Sequence, residues 1–235
     1  MLLILDGNNL AWAGYYALER AMKPEDEERR RRVAMLGLIG GVLGTIARGG
    51  EPPGSDATQR LTDVAICFDE GRPLRRRQLY PPYQTGREGD PKFVQNEPTI
   101  LAAVAEFEAM AAAMLPVAVL RGKDVEADDL IAGLTQRNKR RAVRIVSTDR
   151  DFLQLLGPNV TVYAPVKKLV ITEATLMEAI APKTSSGERV EFPRERFLDY
   201  RTMIGDPSDN IAGIPGMGAL SAARLVAAAP LASYF

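Results

Sequence analysis

Short runs of apolar residues, several of them ending on an aspartate, limit most strongly how this chain can fold. Residues 2–5, 64–68, 116–120 and 143–147 are the clearest, and 160–163 with 168–171 read as a further pair. Mostly apolar runs of this length belong to strands buried on both faces, as in a parallel sheet covered by helices. Between them 33–47, 99–115, 126–138 and 151–156 read as helices, with Leu130, Ile131 and Leu134 at helical spacing in the third. The alternation predicts an α/β core over residues 1–180. A smaller helical region, 181–235, follows it. There a polar stretch leads into a helix over 194–204, a turn over 205–218 punctuated by glycine and proline, and a last helix through Ala228.

Two stretches stand outside this alternation. Residues 80–98 carry Pro81, Pro82, Gly86, Gly89, Pro91 and Pro98 among charged side chains, which predicts a long surface excursion between a strand and a helix. The acidic-then-basic run 25–32 reads as a solvated helix start. The charge-free stretch 33–47 is too short and glycine-rich to span a bilayer, so it predicts a buried helix. Residues 1–6 lack the basic segment and long apolar run of a secretory signal. The expectation is a cytoplasmic protein with no membrane contact and a reduced Cys67.

The chain has no histidine and one cysteine, so Ser-His-Asp triads, His-ligated zinc and disulfide frameworks are excluded. Carboxylates remain, and their placement is not random. Asp6, Asp69 and Asp149 follow three separate apolar runs, which puts them at the carboxyl ends of strands, where open α/β sheets form their ligand crevice. One such aspartate is commonly a helix N-cap or a turn residue; three together point to a site. Glu126, Asp128 and Asp129 open a helix, where three acids in four positions repel one another without a counter-cation. Asp149 and Asp151 lie two apart at a strand-to-helix turn, and Asp206 and Asp209 flank another turn. With no imidazole or thiolate to share the work, nine carboxylates match hard cations, Mg²⁺ or Mn²⁺. They are too many for one Mg²⁺, and a pair of ions suits in-line displacement at phosphorus. Phosphodiester hydrolysis fits this chemistry, and so does a phosphatase.

In order along the chain, Leu5-Asp6-Gly7-Asn8-Asn9, Phe68-Asp69, Val125-Glu126-Ala127-Asp128-Asp129, Ser147-Thr148-Asp149-Arg150-Asp151 and Gly205-Asp206-Pro207-Ser208-Asp209-Asn210, continued through Gly216-Met217-Gly218, make a specific combination. The sequence resembles the 5′-nuclease family, the flap endonucleases and 5′-3′ exonucleases of bacteriophages and of the N-terminal domain of bacterial DNA polymerase I. The resemblance implies a PIN-like core with a central, mainly parallel sheet, and a helix-hairpin-helix element in the tail. It further implies that Asp6, Asp69, Glu126 and Asp128 hold one Mg²⁺, with Asp129, Asp149, Asp151, Asp206 and Asp209 serving a second, Mn²⁺ being able to substitute. Backbone N–H groups near Gly216 and Gly218 are then expected to bind duplex phosphates, with K⁺ at that turn.

By the same resemblance, 80–98 is an arch through or under which a single-stranded 5′ end passes. Arg72, Arg75, Arg76, Arg77 and Arg87, with Tyr80, Tyr83 and Gln84, are its expected DNA contacts, the arginines neutralising phosphates and the tyrosines stacking on bases. The implied enzyme is a structure-selective 5′ nuclease acting on flaps, nicks and overhangs in replication and repair. It would act as a monomer alongside a DNA polymerase. A PIN-like ribonuclease and a catalytically weak branched-DNA binding protein are the alternatives. Three features depart from the family pattern. Gln84 stands where the family usually has a lysine that handles the scissile phosphate, so either Arg87 or one of Arg75, Arg76 and Arg77 supplies the cation or turnover is slower than in typical relatives. Leu220 stands where another lysine is usual. The chain also ends at Phe235, where relatives continue with more helices, so a reduced platform for downstream duplex is expected.

The 30 basic and 30 acidic residues sum to zero. Setting aside the nine carboxylates leaves 30 basic against 21 acidic, so the zero is a sum over an acidic cleft and a basic body.

Overall fold

The computed structural model describes residues 1–56 and 60–234; Phe235, where the sequence ends, lies outside the described residues. The chain forms two compact units, Met1–Arg75 with Lys92–Thr172, and Arg76–Pro91 with Glu173–Phe235.

The first unit is built on a sheet of six strands: β1 (Leu2–Asp6), β2 (Asp63–Phe68), β3 (Ala118–Arg121), β4 (Val143–Val146), β5 (Val160–Ala164) and β6 (Leu169–Ile171). Their spatial order is β3-β2-β1-β4-β5-β6, parallel except for the antiparallel β5–β6 pair. All five residues of β1 and all four of β4 are buried, with Asp6 and Arg144 the polar members of otherwise apolar strands. The chain winds outward from β1 in both directions, so the point where strand order reverses lies at β1, with β2 and β4 on either side. Crevices form at the carboxyl ends of strands at such a reversal.

Helices α1 (Gly7–Met22), α2 (Glu27–Ala47), α5 (Pro91–Met114) and α6 (Ala127–Asn138) belong to this unit. Leu10, Tyr15, Leu38, Val42, Val104 and Phe107 pack on Leu3, Leu5, Ile66 and Phe68 in the main core. Helix α1 was not expected from the sequence. It begins directly after β1, with Asp6 as N-cap accepting the Asn9 N–H at 3.0 Å. Its backbone meets α2 at Gly14 and Gly37, where a Cβ on either would lie 2.5 Å from the other helix. Helix α2 starts where the charged run predicted. Asp26 caps it through the Arg29 N–H at 2.7 Å, and Arg29 pairs with Glu25 at 3.0 Å.

The expected excursion over 80–98 is shorter than its prolines suggested. Helix α5 begins at Pro91 and includes Pro98, so the last eight residues of that stretch are helical. Pro91 fits the first helical position, where no N–H is needed. Tertiary contacts secure the turn beyond it: Phe93 stacks on Trp12 at 4.7 Å, and buried Asn96 accepts the Tyr15 hydroxyl at 3.1 Å. The segment expected as a helix over 151–156 is a 3₁₀ turn, Asp151–Leu155.

The second unit holds α3 (Leu74–Leu79) in part, α4 (Thr85–Glu88), α7 (Leu176–Ile180), α8 (Phe197–Ile204) and α9 (Ala219–Ala228). Residues 76–91 belong to it rather than to the core in which the sequence placed them. Phe192, Tyr200, Met203, Ala222, Ala223 and Val226 form its own core. A two-stranded hairpin, β7 (Gly205–Asp206) and β8 (Ile211–Ala212), follows α8. Gly205 has φ +71°, and a Cβ there would lie 2.3 Å from the Gly213 nitrogen, so no other residue closes this turn without strain.

Candidate metal centre

The carboxyl edge of the sheet in the first unit gathers seven of the nine carboxylates. Asp6 ends β1 in register with Cys67 of β2, and Asp69 lies just past the end of β2. Asp149 and Asp151 follow β4, and Glu126, Asp128 and Asp129 open α6.

Asp6 is buried. One carboxylate oxygen accepts the Asn9 N–H at 3.0 Å and the other the Ser147 hydroxyl at 2.7 Å. Burial raises its pKa to about 7; the two hydrogen bonds oppose the rise, and the nearby carboxylates of Asp69 and Asp149 add to it. Burial likewise pushes the Cys67 thiol up to about 12, with Asp6 contributing, so that cysteine is an inert part of the core.

Backbone donors and short polar side chains hold the rest of the rim. Asp69 accepts the Ala127 N–H at 2.7 Å, tying the end of β2 to the first turn of α6. The Asp69 N–H donates to the Asn8 side-chain oxygen at 3.0 Å. Glu126 and Asp129 form a reciprocal capping box, so Asp129 contributes directly to the helix start. The Asp149 N–H donates to Ser147 at 3.0 Å, and Asp149 accepts the Asp151 N–H at 2.8 Å. Asn9 reaches across to Thr148, accepting its N–H at 2.9 Å.

Asn8, Asn9, Ser147 and Thr148 thus orient the carboxylates. Sequence reasoning does not single them out as site residues, although each sits beside a strand-ending aspartate. Among the described residues no three carboxylates close on one point. Instead they ring the strand ends and supply oxygen donors alone, which suits hard divalent cations. A divalent cation also fits Asp6, where it would offset a buried carboxylate crowded by two others.

Asp206 and Asp209 lie in the second unit, each with an arginine partner. Asp206 accepts Arg201 at 2.5 Å, the Ser208 hydroxyl at 2.5 Å and the Ser208 N–H at 2.9 Å. Burial works to raise the Asp206 carboxyl, but these Ser208 and Arg201 contacts outweigh it and leave the pKa below its ordinary value. Asp209 accepts Arg87 at 2.9 Å and the Tyr83 hydroxyl at 3.2 Å.

Several expected DNA contacts are engaged elsewhere. Tyr83 and Gln84 are buried, and the Arg76 guanidinium lies 5.8 Å from the Tyr83 ring centre, so Tyr83 supports the fold of its own segment instead of offering a face to a base. Arg72 pairs with Glu97 at 3.1 Å and Arg77 with Glu88 at 2.8 Å. Arg75 is exposed, and Tyr80 is 39% exposed with its hydroxyl on the Asn210 carbonyl at 3.1 Å. Gly216, at φ +76°, and Gly218, the N-cap of α9, lie in the turn before that helix.

A parallel sheet whose strand ends carry a ring of carboxylates, with a helical second unit beside it in sequence, defines the PIN-like class of α/β fold. The family described as the 5′-3′ exonuclease N-terminal, resolvase-like domain matches residues 1–181. DNA polymerase I of Mycobacterium bovis is 32% identical over 231 residues, which is 96% of this chain and 23% of that protein. Thermostable DNA polymerase I of Thermus filiformis is 31% identical over 228 residues, again 96% of this chain and 23% of the relative. This chain therefore spans about a quarter of the length of those polymerases. Among solved structures, T5 5′-exonuclease with bound zinc ions has a TM-score of 0.69 at 17% identity, covering 96% of this chain and 74% of that one. The bacteriophage T5 flap endonuclease in a pseudo-enzyme-product complex with DNA and metal ions also scores 0.69 at 17% identity, with the same coverage, and shares the fold. The chain belongs to the 5′-3′ exonuclease family of nucleases.

Proposed function

We propose that this protein is a Mg²⁺-dependent, structure-selective 5′ nuclease. It cuts single-stranded 5′ flaps near the duplex junction and trims 5′ ends during DNA replication or repair in the cytoplasm, as a monomer working beside a DNA polymerase. The observation that carries the reading is the crowding of Asp6 by Asp69 and Asp149 at the strand-order reversal, with oxygen donors only around it. Two divalent ions at such a site supply an activated water and a partner for the leaving oxygen.

The residues of the chain hold and orient. Asp6, Asp69, Glu126 and Asp128 are the proposed ligands of one ion, and Asp149 and Asp151 act with Asp129 at the other. Ser147 fixes the Asp6 carboxylate by its hydroxyl, and the Ala127 N–H fixes Asp69. Hydrolysis leaves a 5′-phosphate and a 3′-hydroxyl. In the second unit, amides of Gly216, Gly218 and the first turn of α9 suit duplex phosphates, with K⁺ at the turn.

A panel of 5′-labelled flap, nicked and single-stranded DNA, with Mg²⁺ or EDTA, tests the proposal. Flap cleavage that stops in EDTA is expected. Asp149→Asn and Asp151→Asn should each abolish cleavage while DNA binding persists. Cleavage of RNA flaps in preference to DNA would move the reading to a ribonuclease, and binding without any cleavage would move it to a branched-DNA binder.

A further inference from the structure

Segment 80–88 is joined to the turn 208–210 of its own unit by polar contacts. The apolar core of that unit is made by Phe192, Tyr200, Met203 and residues of α9, none of them in the segment. Asn210 stands at the joint. Its side-chain amide donates to the Pro82 carbonyl at 3.0 Å and to the Thr85 hydroxyl at 3.2 Å, and its own carbonyl accepts the Tyr80 hydroxyl at 3.1 Å. Beside it the Asp209 carbonyl accepts the Gln84 N–H at 3.0 Å. Asn210 has a left-handed backbone, φ 58°, a conformation that asparagine adopts more readily than most residues.

The path from Asn210 to the phosphate-facing turn is also pinned. Strands β7 and β8 pair Gly205 with Ala212 and Asp206 with Ile211 on either side of the turn. Gly213 lies against the end of α8, where a Cβ would come within 2.5 Å of the Ile204 carbonyl carbon, and the Ile214 N–H donates to the Met203 carbonyl at 2.8 Å. Gly216 and Gly218 follow directly. Backbone contacts therefore connect Asn210 to the amides proposed for duplex phosphates. Side-chain contacts connect the same turn to Tyr80 and Arg87, both of which remain partly exposed.

We propose that Asn210 is a specificity-determining positioning residue: it fixes the spacing between the amides at 216–218, which take duplex phosphates, and segment 80–88, which takes the single strand, and thereby fixes where a 5′ flap is cut. The inference rests on the 5′-nuclease reading above and adds a ruler to it. Asn210 is exposed, and a single solvated hydrogen bond contributes little to stability. Loss of its two donations should therefore loosen the spacing without unfolding the unit.

Asn210→Gly deletes both donations while leaving the left-handed backbone unstrained. On a 5′-labelled flap with Mg²⁺, the unaltered protein is expected to give one dominant product. The variant should spread its cuts over neighbouring positions and raise KM about fivefold, the scale of one net hydrogen bond. A purely structural defect would lower the rate and leave the cut position alone. Should the variant misfold, amide exchange at Gln84 in the unaltered protein decides: a blunt duplex with no flap should slow it by about fivefold through the joint, and unchanged exchange overturns the proposal. A folded Asn210→Gly that cuts only at the position used by the unaltered protein overturns the ruler and leaves the nuclease reading standing. An unaltered protein that cuts no flap in Mg²⁺ overturns both.

Discussion

The Ser147 hydroxyl donates to the buried Asp6 carboxylate at 2.7 Å and accepts the Asp149 N–H at 3.0 Å, so one side chain couples the end of β1 to the acidic loop after β4. Partners that orient a metal ligand typically change metal affinity 10- to 100-fold when removed. Ser147→Ala leaves one Asp6 oxygen and the Asp149 amide without this hydroxyl. The Mg²⁺ concentration giving half-maximal cleavage should rise by about tenfold, while DNA affinity measured in Ca²⁺ stays within twofold (~0.4 kcal/mol). An unchanged Mg²⁺ midpoint would remove Ser147 from the site.

The Asp6 carboxyl has a pKa of about 7 in the fold against an ordinary value of 3.8, so the native state binds the extra proton. The stabilisation is complete below the ordinary value and is lost as pH rises through the folded one. The metal-free protein should lose up to about 4 kcal/mol of stability between pH 4 and pH 7 through this one group, at about 1.4 kcal/mol per unit. A bound divalent ion favours the ionised form, so Mg²⁺ should flatten that slope. Urea unfolding of the metal-free protein across this range, compared with Asp6→Asn, isolates the contribution. Parallel pH profiles for the two proteins would contradict it.

Away from the site, Arg144 of β4 and Glu51 form an ion pair at 2.5 Å, with side chains only 8% and 7% exposed. Arg144 also donates to the Gly50 carbonyl and to Thr161, each at 3.1 Å. Glu51→Ala strands a buried guanidinium and should cost about 3–5 kcal/mol. Replacing both with apolar residues, Arg144→Met with Glu51→Leu, should cost much less. Chemical denaturation of both variants checks the difference, and equal losses would mean that the pair holds the 48–51 turn by packing alone.

Much of the sheet and of its acidic edge is legible in the sequence alone. The strand-ending aspartates announce the crevice because strands buried on both faces leave only their ends for polar groups, and Asp6, Asp69 and Asp149 all fall there. Helix α1 is not legible: Gly7, Asn8, Asn9 and Gly14 are weak helix formers, and what holds the helix is the Asp6 cap and the Gly14–Gly37 contact with α2. Prolines at 91 and 98 suggest a loop, whereas Phe93 on Trp12 secures a helix there. The partners of Tyr83 and Arg87 are also beyond sequence reasoning. Asp209 lies 122 residues past Arg87, and no local pattern announces such a pairing.

Gln84 carries the last prediction. Its backbone is left-handed, at φ 57°, its side chain is buried, and its amide nitrogen donates to the Tyr83 hydroxyl at 3.3 Å. That hydroxyl also takes a hydrogen bond from Arg76 at 3.3 Å. Installing the family's lysine by Gln84→Lys keeps the backbone strain but brings an ammonium toward Arg76 in a desolvated place, where burial and like charge both disfavour its ionised form. The lysine should titrate below its ordinary value, so the folded state binds fewer protons than the unfolded one. Its destabilisation relative to the unaltered protein is therefore largest below the folded pKa and shrinks as pH rises through it toward the ordinary value of about 10.4. Urea midpoints of the two proteins between pH 6 and pH 10 give the comparison. A stability deficit independent of pH would mean that the ammonium reaches solvent, in which case cleavage should rise with the charge it presents; a deficit that closes with pH, without a gain in cleavage, would mean that the buried glutamine is what this fold requires.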